Sequence, residues 1–170
     1  MTALALPKVL TVEDDPIVRA DLRLILTDAG FDVVPDARDG IEAVALAREH
    51  EPDVILIDLD VTHLDGVQAA RRILGERNVP IVALTGHSNR EILEQATDAG
   101  ASGSLTKPFS ERQLVTTLRE AISDHAELGV EQNQLRMLIE GMQQQGYTEK
   151  AITRAVESEA SPRLRLRQTR

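Results

Sequence analysis

Five short apolar runs recur along this chain, and a helical pattern follows each. "KVLTV" (8–12), "FDVV" (31–34), "DVILI" (53–57), "PIVAL" (80–84) and "GSLT" (103–106) begin 22 to 27 residues apart. Strict alternation of this kind predicts a parallel sheet with helices on both faces. The unbroken apolar character of "VILI" and "IVAL" fits strands covered on both sides. After the first run, Asp15 can cap a helix that starts at Pro16 and closes at Gly30. Ile17, Leu22, Ile25, Leu26 and Ala29 share one face of it. The second helix is expected over 39–50, with Ile41, Val44, Ala45 and Ala47 as its apolar side. Further helices are expected over 66–74, 89–100 and 110–128, the last capped by Ser110.

Composition narrows the chemistry. Phe31, Phe109 and Tyr147 are the only aromatics, so the core must be aliphatic. With no cysteine, disulfides, zinc–thiolate sites and thiol nucleophiles are excluded. No apolar run approaches the roughly 18 residues of a membrane span. "MTALALPKVL" has no charged n-region and no long h-region, so it reads poorly as a signal peptide. A cytoplasmic protein without a membrane partner is the expectation. The net charge of −9 lies entirely in residues 1–123, which hold 21 acidic and 12 basic side chains. Residues 124–170 hold seven of each. The front of the chain would repel nucleic acid, leaving only the tail, "PRLRLRQTR", as a candidate.

In an open parallel sheet, function gathers at the carboxyl ends of the strands. Glu13, Asp14 and Asp15 follow the first run, and Asp58 and Asp60 the third. Thr85, Gly86 and His87 follow the fourth, and Lys107 with Pro108 the fifth. Clustered carboxylates need a cation, and an oxygen-only donor set suits Mg²⁺ before Zn²⁺. Lysine and a threonine hydroxyl can hold phosphoryl oxygens, and a carboxylate can act as a nucleophile. The set fits phosphoryl transfer onto an aspartate, with Asp58 as acceptor because it ends the central strand. Other residues read more plainly. Asp15 caps a helix, Asp39 and Asp65 are turn residues before glycine, and "GASG" (100–103) is a turn. His50, His63, His87 and His125 read as solvated, with His87 also a candidate border residue of the site that tunes hydrolysis of the acyl phosphate.

"VEDDP", "ILIDLD", "ALTGHS" and "LTKPFS" together resemble the receiver domain of bacterial two-component response regulators, over about residues 6–125. The resemblance implies a five-stranded parallel sheet in order 2-1-3-4-5, flanked by five helices. It implies that Asp58 accepts a phosphoryl group from a histidine kinase. By the same likeness Glu13, Asp14, Asp58 and the backbone carbonyl of Asp60 hold Mg²⁺, Thr85 and Lys107 contact the phosphoryl oxygens, and Pro108 follows a cis peptide. Such a protein is a signalling phosphoacceptor and not an enzyme. Two positions depart from the family pattern. Val61-Thr62 stands where Met-Pro is common, and Ser104 stands where an aromatic ring usually reorients on activation. A phosphatase working through an aspartyl phosphate is the rival reading, since Asp60 has the spacing of its general acid. In that class, however, the nucleophile usually follows the first strand.

Residues 126–170 are expected to form a separate helical extension with a basic tail. "QNQLRMLIEGMQQQ" puts Leu135, Leu138, Ile139 and Met142 on one face, "GY" breaks the helix, and Thr148 can cap "EKAITRAVESEA". Ile152, Ala155 and Val156 are the apolar residues of that second helix, and Pro162 ends it. Self-association as a homodimer, or docking, is the plain reading. "LIEGMQQQGYTEKAITRAV" also resembles part of the ANTAR RNA-binding helices that follow receivers of antiterminator type, without a clear third helix.

Overall fold

The computed structural model describes residues 5–61, 65–86, 90–162 and 164. The order is β1 (Lys8–Val12), α1 (Pro16–Asp28), β2 (Asp32–Val33), α2 (Gly40–His50), β3 (Val54–Asp58), α3 (Gly66–Glu76), β4 (Ile81–Thr85), α4 (Arg90–Asp98), β5 (Gly103–Thr106), α5 (Glu111–Gln144) and α6 (Glu149–Glu159). The strands form one parallel sheet in the order β2-β1-β3-β4-β5. The chain packs as two units, Met1–Ile122 and Ser123–Arg170.

Side chains alternate across the sheet. Val9, Val54, Leu56, Val82 and Leu84 face α1 and the first turns of α5, where Leu22, Leu26, Leu114 and Leu118 complete one core layer. Leu10, Val12, Ile55, Ile57, Ile81 and Ala83 face α2, α3 and α4, and meet Ala43, Ala47, Ala69, Ile73 and Ala96. The central strands β3 and β4 are buried at every position, whereas the edge strand β5 alternates between half-buried and exposed. That contrast is why "VILI" and "IVAL" read as strands and "GSLT" only weakly.

The helix starts are set by side-chain caps. The Asp15 carboxylate accepts from the amides of Ile17 and Val18 at 2.7 and 3.2 Å, with Pro16 at the first helical position. Asp39 and Asp65, expected as turn residues, are the caps of α2 and α3. Ser110 and Gln113 satisfy each other's backbone amides before α5. Gly30 has φ +85°, the left-handed conformation that closes a helix.

Some expected faces shift. Ile17 on α1 is 73% exposed and Ile41 on α2 is 62% exposed. Ala45 is exposed too, because α2 turns Ala43 and Ala47 to the sheet, where small residues let it pack closely. The helix expected over 110–128 and the first short helix of the extension are one helix, α5, which runs through Gly129 and Gly141 to Gln144. The break falls where expected, with Gly146 at φ +80° and Thr148 capping α6. In this second unit Leu135, Ala160 and Leu164 form a small core joined by Leu128 and Val156. The Glu131 carboxylate accepts from the amide and hydroxyl of Ser161. Pro162 and Leu164 are helical; the other tail residues, four arginines among them, lie outside the described residues.

Candidate functional site

Parallel register brings the strand ends level. Val12 pairs with Ile57, Asp58 with Leu84 and Thr85 with Thr106. Glu13 therefore emerges beside Asp58, and Lys107 beyond Thr85. Glu13, Asp58 and Thr85 are all buried, at 2, 4 and 3% exposure. Two buried carboxylates at one place are unfavourable unless a cation pairs them. Lys107 supplies it: its ammonium donates to Asp58 Oδ2 at 2.5 Å and to Glu13 Oε2 at 3.1 Å. The Lys107 amide also donates to the Thr85 carbonyl at 2.9 Å, and the Lys107–Pro108 peptide is cis.

These contacts set the titration. Burial pushes the Glu13 carboxyl up, and the negative charge of Asp58 adds to this; hydrogen bonds from the Asp15 amide and the Lys107 ammonium oppose it without cancelling it. Burial pulls the Lys107 ammonium down, but hydrogen bonds and charge from Asp58 and Glu13 outweigh it, and the net shift is upward.

The Asp58 carboxylate is held at both oxygens. Asp58 Oδ1 accepts from the Asp60 amide at 2.9 Å while Oδ2 meets Lys107. The Thr85 hydroxyl donates to the Gly86 carbonyl at 3.2 Å, and no hydrogen bond joins it to Asp58 or Lys107. Asp14 is exposed, and its carboxylate has no hydrogen-bond partner among the described residues. Asp15 caps α1. Ser104 is exposed on the edge strand. His63 and His87 lie outside the described residues, as does Thr62.

Among the described residues no three His, Asp or Glu side chains are gathered to hold a metal ion. The Lys107 ammonium already stands between the two buried carboxylates. The donor chemistry nonetheless fits a hard divalent cation. Every candidate ligand is oxygen, and two of the carboxylates already converge on one cationic atom.

Sequence reasoning missed three features that shape the site. Arg19 donates to the Glu13 and Asp14 carbonyls at 2.7 and 3.3 Å. Thr11, Asp36 and Arg23 form a hydrogen-bonded chain that fastens the loop after β2 to β1 and α1. Gly66 lies so close to the end of β3 that an added Cβ would sit 2.5 Å from the Asp58 carbonyl oxygen. Only the last left a trace in the sequence, as a glycine at the start of a helix directly after a capping aspartate.

The pattern of the response regulator receiver domain matches residues 9–119. The transcriptional regulatory protein PdtaR of Mycobacterium tuberculosis is 38% identical over 144 residues, 85% of this chain and 70% of that protein. The signal receiver domain of a modulated diguanylate cyclase from Desulfovibrio desulfuricans superposes with a TM-score of 0.67 at 34% identity, over 71% of this chain and 97% of that one. The receiver domain of a Pseudomonas aeruginosa sensor histidine kinase, described with a magnesium ion coordinated in its active site cleft, gives 0.64 at 34% identity, over 70% of this chain and 99% of that one. Strand order, strand-end residues and these likenesses agree: the chain belongs to the response regulator receiver domain family of two-component signalling.

Proposed function

We propose that Asp58 is the phosphoacceptor of this receiver, that a histidine kinase is the donor, and that the reaction requires Mg²⁺. The observation that carries the reading is the buried Asp58 carboxylate at the end of β3, held by Lys107 beside Glu13. An Asp58 oxygen attacks phosphorus, the bond to the imidazole nitrogen of phosphohistidine breaks, and that nitrogen keeps the electron pair and takes up a proton. The product is an acyl phosphate on Asp58. Lys107 loses its pairing with that oxygen and turns to a phosphoryl oxygen, and Thr85 offers its hydroxyl to another. Asp14, Asp58, the Asp60 backbone carbonyl and Glu13 would hold the Mg²⁺. Bound there, it offsets the negative charge shared by the carboxylates and the incoming phosphoryl group.

Incubation with acetyl phosphate and Mg²⁺, read by intact mass, should add one phosphoryl group, and Asp58→Asn should add none. Undiminished labelling of that variant overturns the assignment. The same reading makes the chain a cytoplasmic signalling protein and not an enzyme. Against the phosphatase alternative, Asp58 ends the third strand and not the first, and one stoichiometric phosphate is expected where a phosphatase would give many turnovers of a phosphomonoester.

We further infer that residues 1–125 act as the receiver and 126–170 as its output element. In support, the 144-residue likeness to a transcriptional regulatory protein is longer than the 111 residues matched by the receiver pattern, 9–119. Self-association or docking is favoured over RNA binding, because clustered arginines supply charge without base-reading geometry.

A further inference from the structure

The loop that leads from β1 into α1 is wired at almost every polar group. The Glu13 amide donates to the Ala37 carbonyl at 3.0 Å. Glu13 Oε1 accepts from the Asp15 amide, and Oε2 from Lys107. The Asp15 carboxylate caps α1, and its carbonyl accepts the Arg19 amide at 2.9 Å. Two carbonyls remain, those of Glu13 and Asp14. Both are taken by one atom, Nη1 of Arg19, which reaches back one turn from within α1. The Asp14 carboxylate is left over, exposed and without a hydrogen-bond partner among the described residues.

We propose that Arg19 is a positioning residue for cation binding: by tying the Glu13 and Asp14 carbonyls to α1, it fixes the loop with the Asp14 carboxylate free for Mg²⁺. This inference rests on the Mg²⁺-dependent reading above. The guanidinium itself is a charge close to the acidic pair, and by through-space repulsion alone it would weaken cation binding. Its removal therefore has two effects of opposite sign. Lost charge tightens Mg²⁺ binding and lost positioning weakens it, so the direction of the change tells which role holds.

The test is the full-length, unphosphorylated chain titrated with Mg²⁺ by calorimetry. Arg19→Met keeps much of the aliphatic stem and removes every donor. It should raise the Mg²⁺ dissociation constant roughly 10–100-fold, the usual cost of removing support behind a metal ligand. Arg19→Lys, which restores a donor and the charge, should recover most of that loss. The Mg²⁺ concentration for half-maximal labelling by acetyl phosphate should rise by the same factor as the dissociation constant. A merely structural role would lower the unfolding midpoint without moving that concentration. Binding by Arg19→Met as tight as wild type, or tighter, overturns the inference and leaves the Mg²⁺ reading intact. A wild-type chain that binds no Mg²⁺ overturns both. Should Arg19→Met fail to fold, Arg19→Gln, neutral and shorter, carries the same expectation of weaker binding and is overturned by the same result.

Discussion

Replacing Gly66 with alanine should damage this receiver far more than the loss of a glycine usually does. Gly66 opens α3 directly after its cap Asp65, and its amide lies 3.4 Å from the Leu59 carbonyl. A Cβ there would meet the Asp58 carbonyl oxygen at 2.5 Å, the Leu59 Cα at 2.7 Å and the Asp58 carbonyl carbon at 3.2 Å. All three atoms are backbone, so no rotamer change can make room. Either α3 must back away from a loop whose Leu59 and Val61 are buried, or β3 must give at its carboxyl end. Overpacking of this kind costs typically 1–3 kcal/mol, and the rigid neighbours place this case at about 2–3 kcal/mol, a loss of about 6–9 °C in Tm. Gly75, on the same helix, is the control: nothing lies within 4 Å of its added Cβ. Gly75→Ala should stabilise by up to about 1 kcal/mol through helix propensity alone. Chemical denaturation of the two variants reads both signs. Because the atom struck belongs to Asp58, labelling by acetyl phosphate should also slow in Gly66→Ala, since a misplacement of about 1 Å can cost roughly 100-fold in rate. A Gly66→Ala chain as stable as wild type, or a Gly75→Ala chain destabilised as much, would refute the close-approach argument.

Asp14→Ala should weaken Mg²⁺ binding with little change in stability. Asp15→Ala should do the reverse, losing about 0.5–2 kcal/mol as a helix cap; equal Mg²⁺ affinities would place the ligand register one residue off. Thr85→Ala should blunt the structural response to phosphorylation, followed by amide exchange, while Ser104→Ala leaves it whole; loss of the response in Ser104→Ala would give that serine a role. Removal of residues 162–170 should change the mass in solution, read by sedimentation, and leave Asp58 labelling intact. If the tail instead binds RNA, log affinity against log salt should fall with a slope of about −3 at most, given four arginines.

The sheet was legible because its strands carry two different signatures of burial. β3 and β4 lie at the centre and are apolar at every position, so they stand out from the helical patterns around them. β2, at the edge, shrinks to Asp32–Val33. Helix faces were less legible. Periodicity picked the large residues Ile17 and Ile41, yet both point to solvent, and α2 meets the sheet through alanines. A spacing rule weights size, whereas close packing on a flat sheet can favour small side chains. The helix expected over 110–128 stopped just before Gly129, and a glycine costs about 1 kcal/mol in a helix; the added-Cβ position at Gly129 faces open space, and α5 runs on through it. At the site, the charged residues were readable from their places after the strands. What held them was not: Arg19 and the Thr11–Asp36–Arg23 chain work through backbone carbonyls and cross-loop contacts, and neither leaves a motif.

The charge of the crevice explains why the proposed reaction needs a metal although a lysine is already in place. Lys107 is one cation shared by two buried carboxylates, Glu13 and Asp58. Two carboxylates against one ammonium leave this buried group net negative, on a front segment that carries the whole −9 of the chain. A phosphoryl donor is itself an anion, so repulsion at short range opposes its approach to Asp58. Lys107 cannot solve this alone, because every shift of its ammonium toward a phosphoryl oxygen leaves Glu13 or Asp58 buried with less compensation. A divalent cation among the same oxygens changes that balance. Held by those oxygens it would offset the charge of the carboxylates, and Lys107 would be free to follow the phosphoryl group. The proposed divalent-cation dependence rests on the burial of Glu13 and Asp58 together, and register sets that burial, since Val12 pairs with Ile57 one step before both.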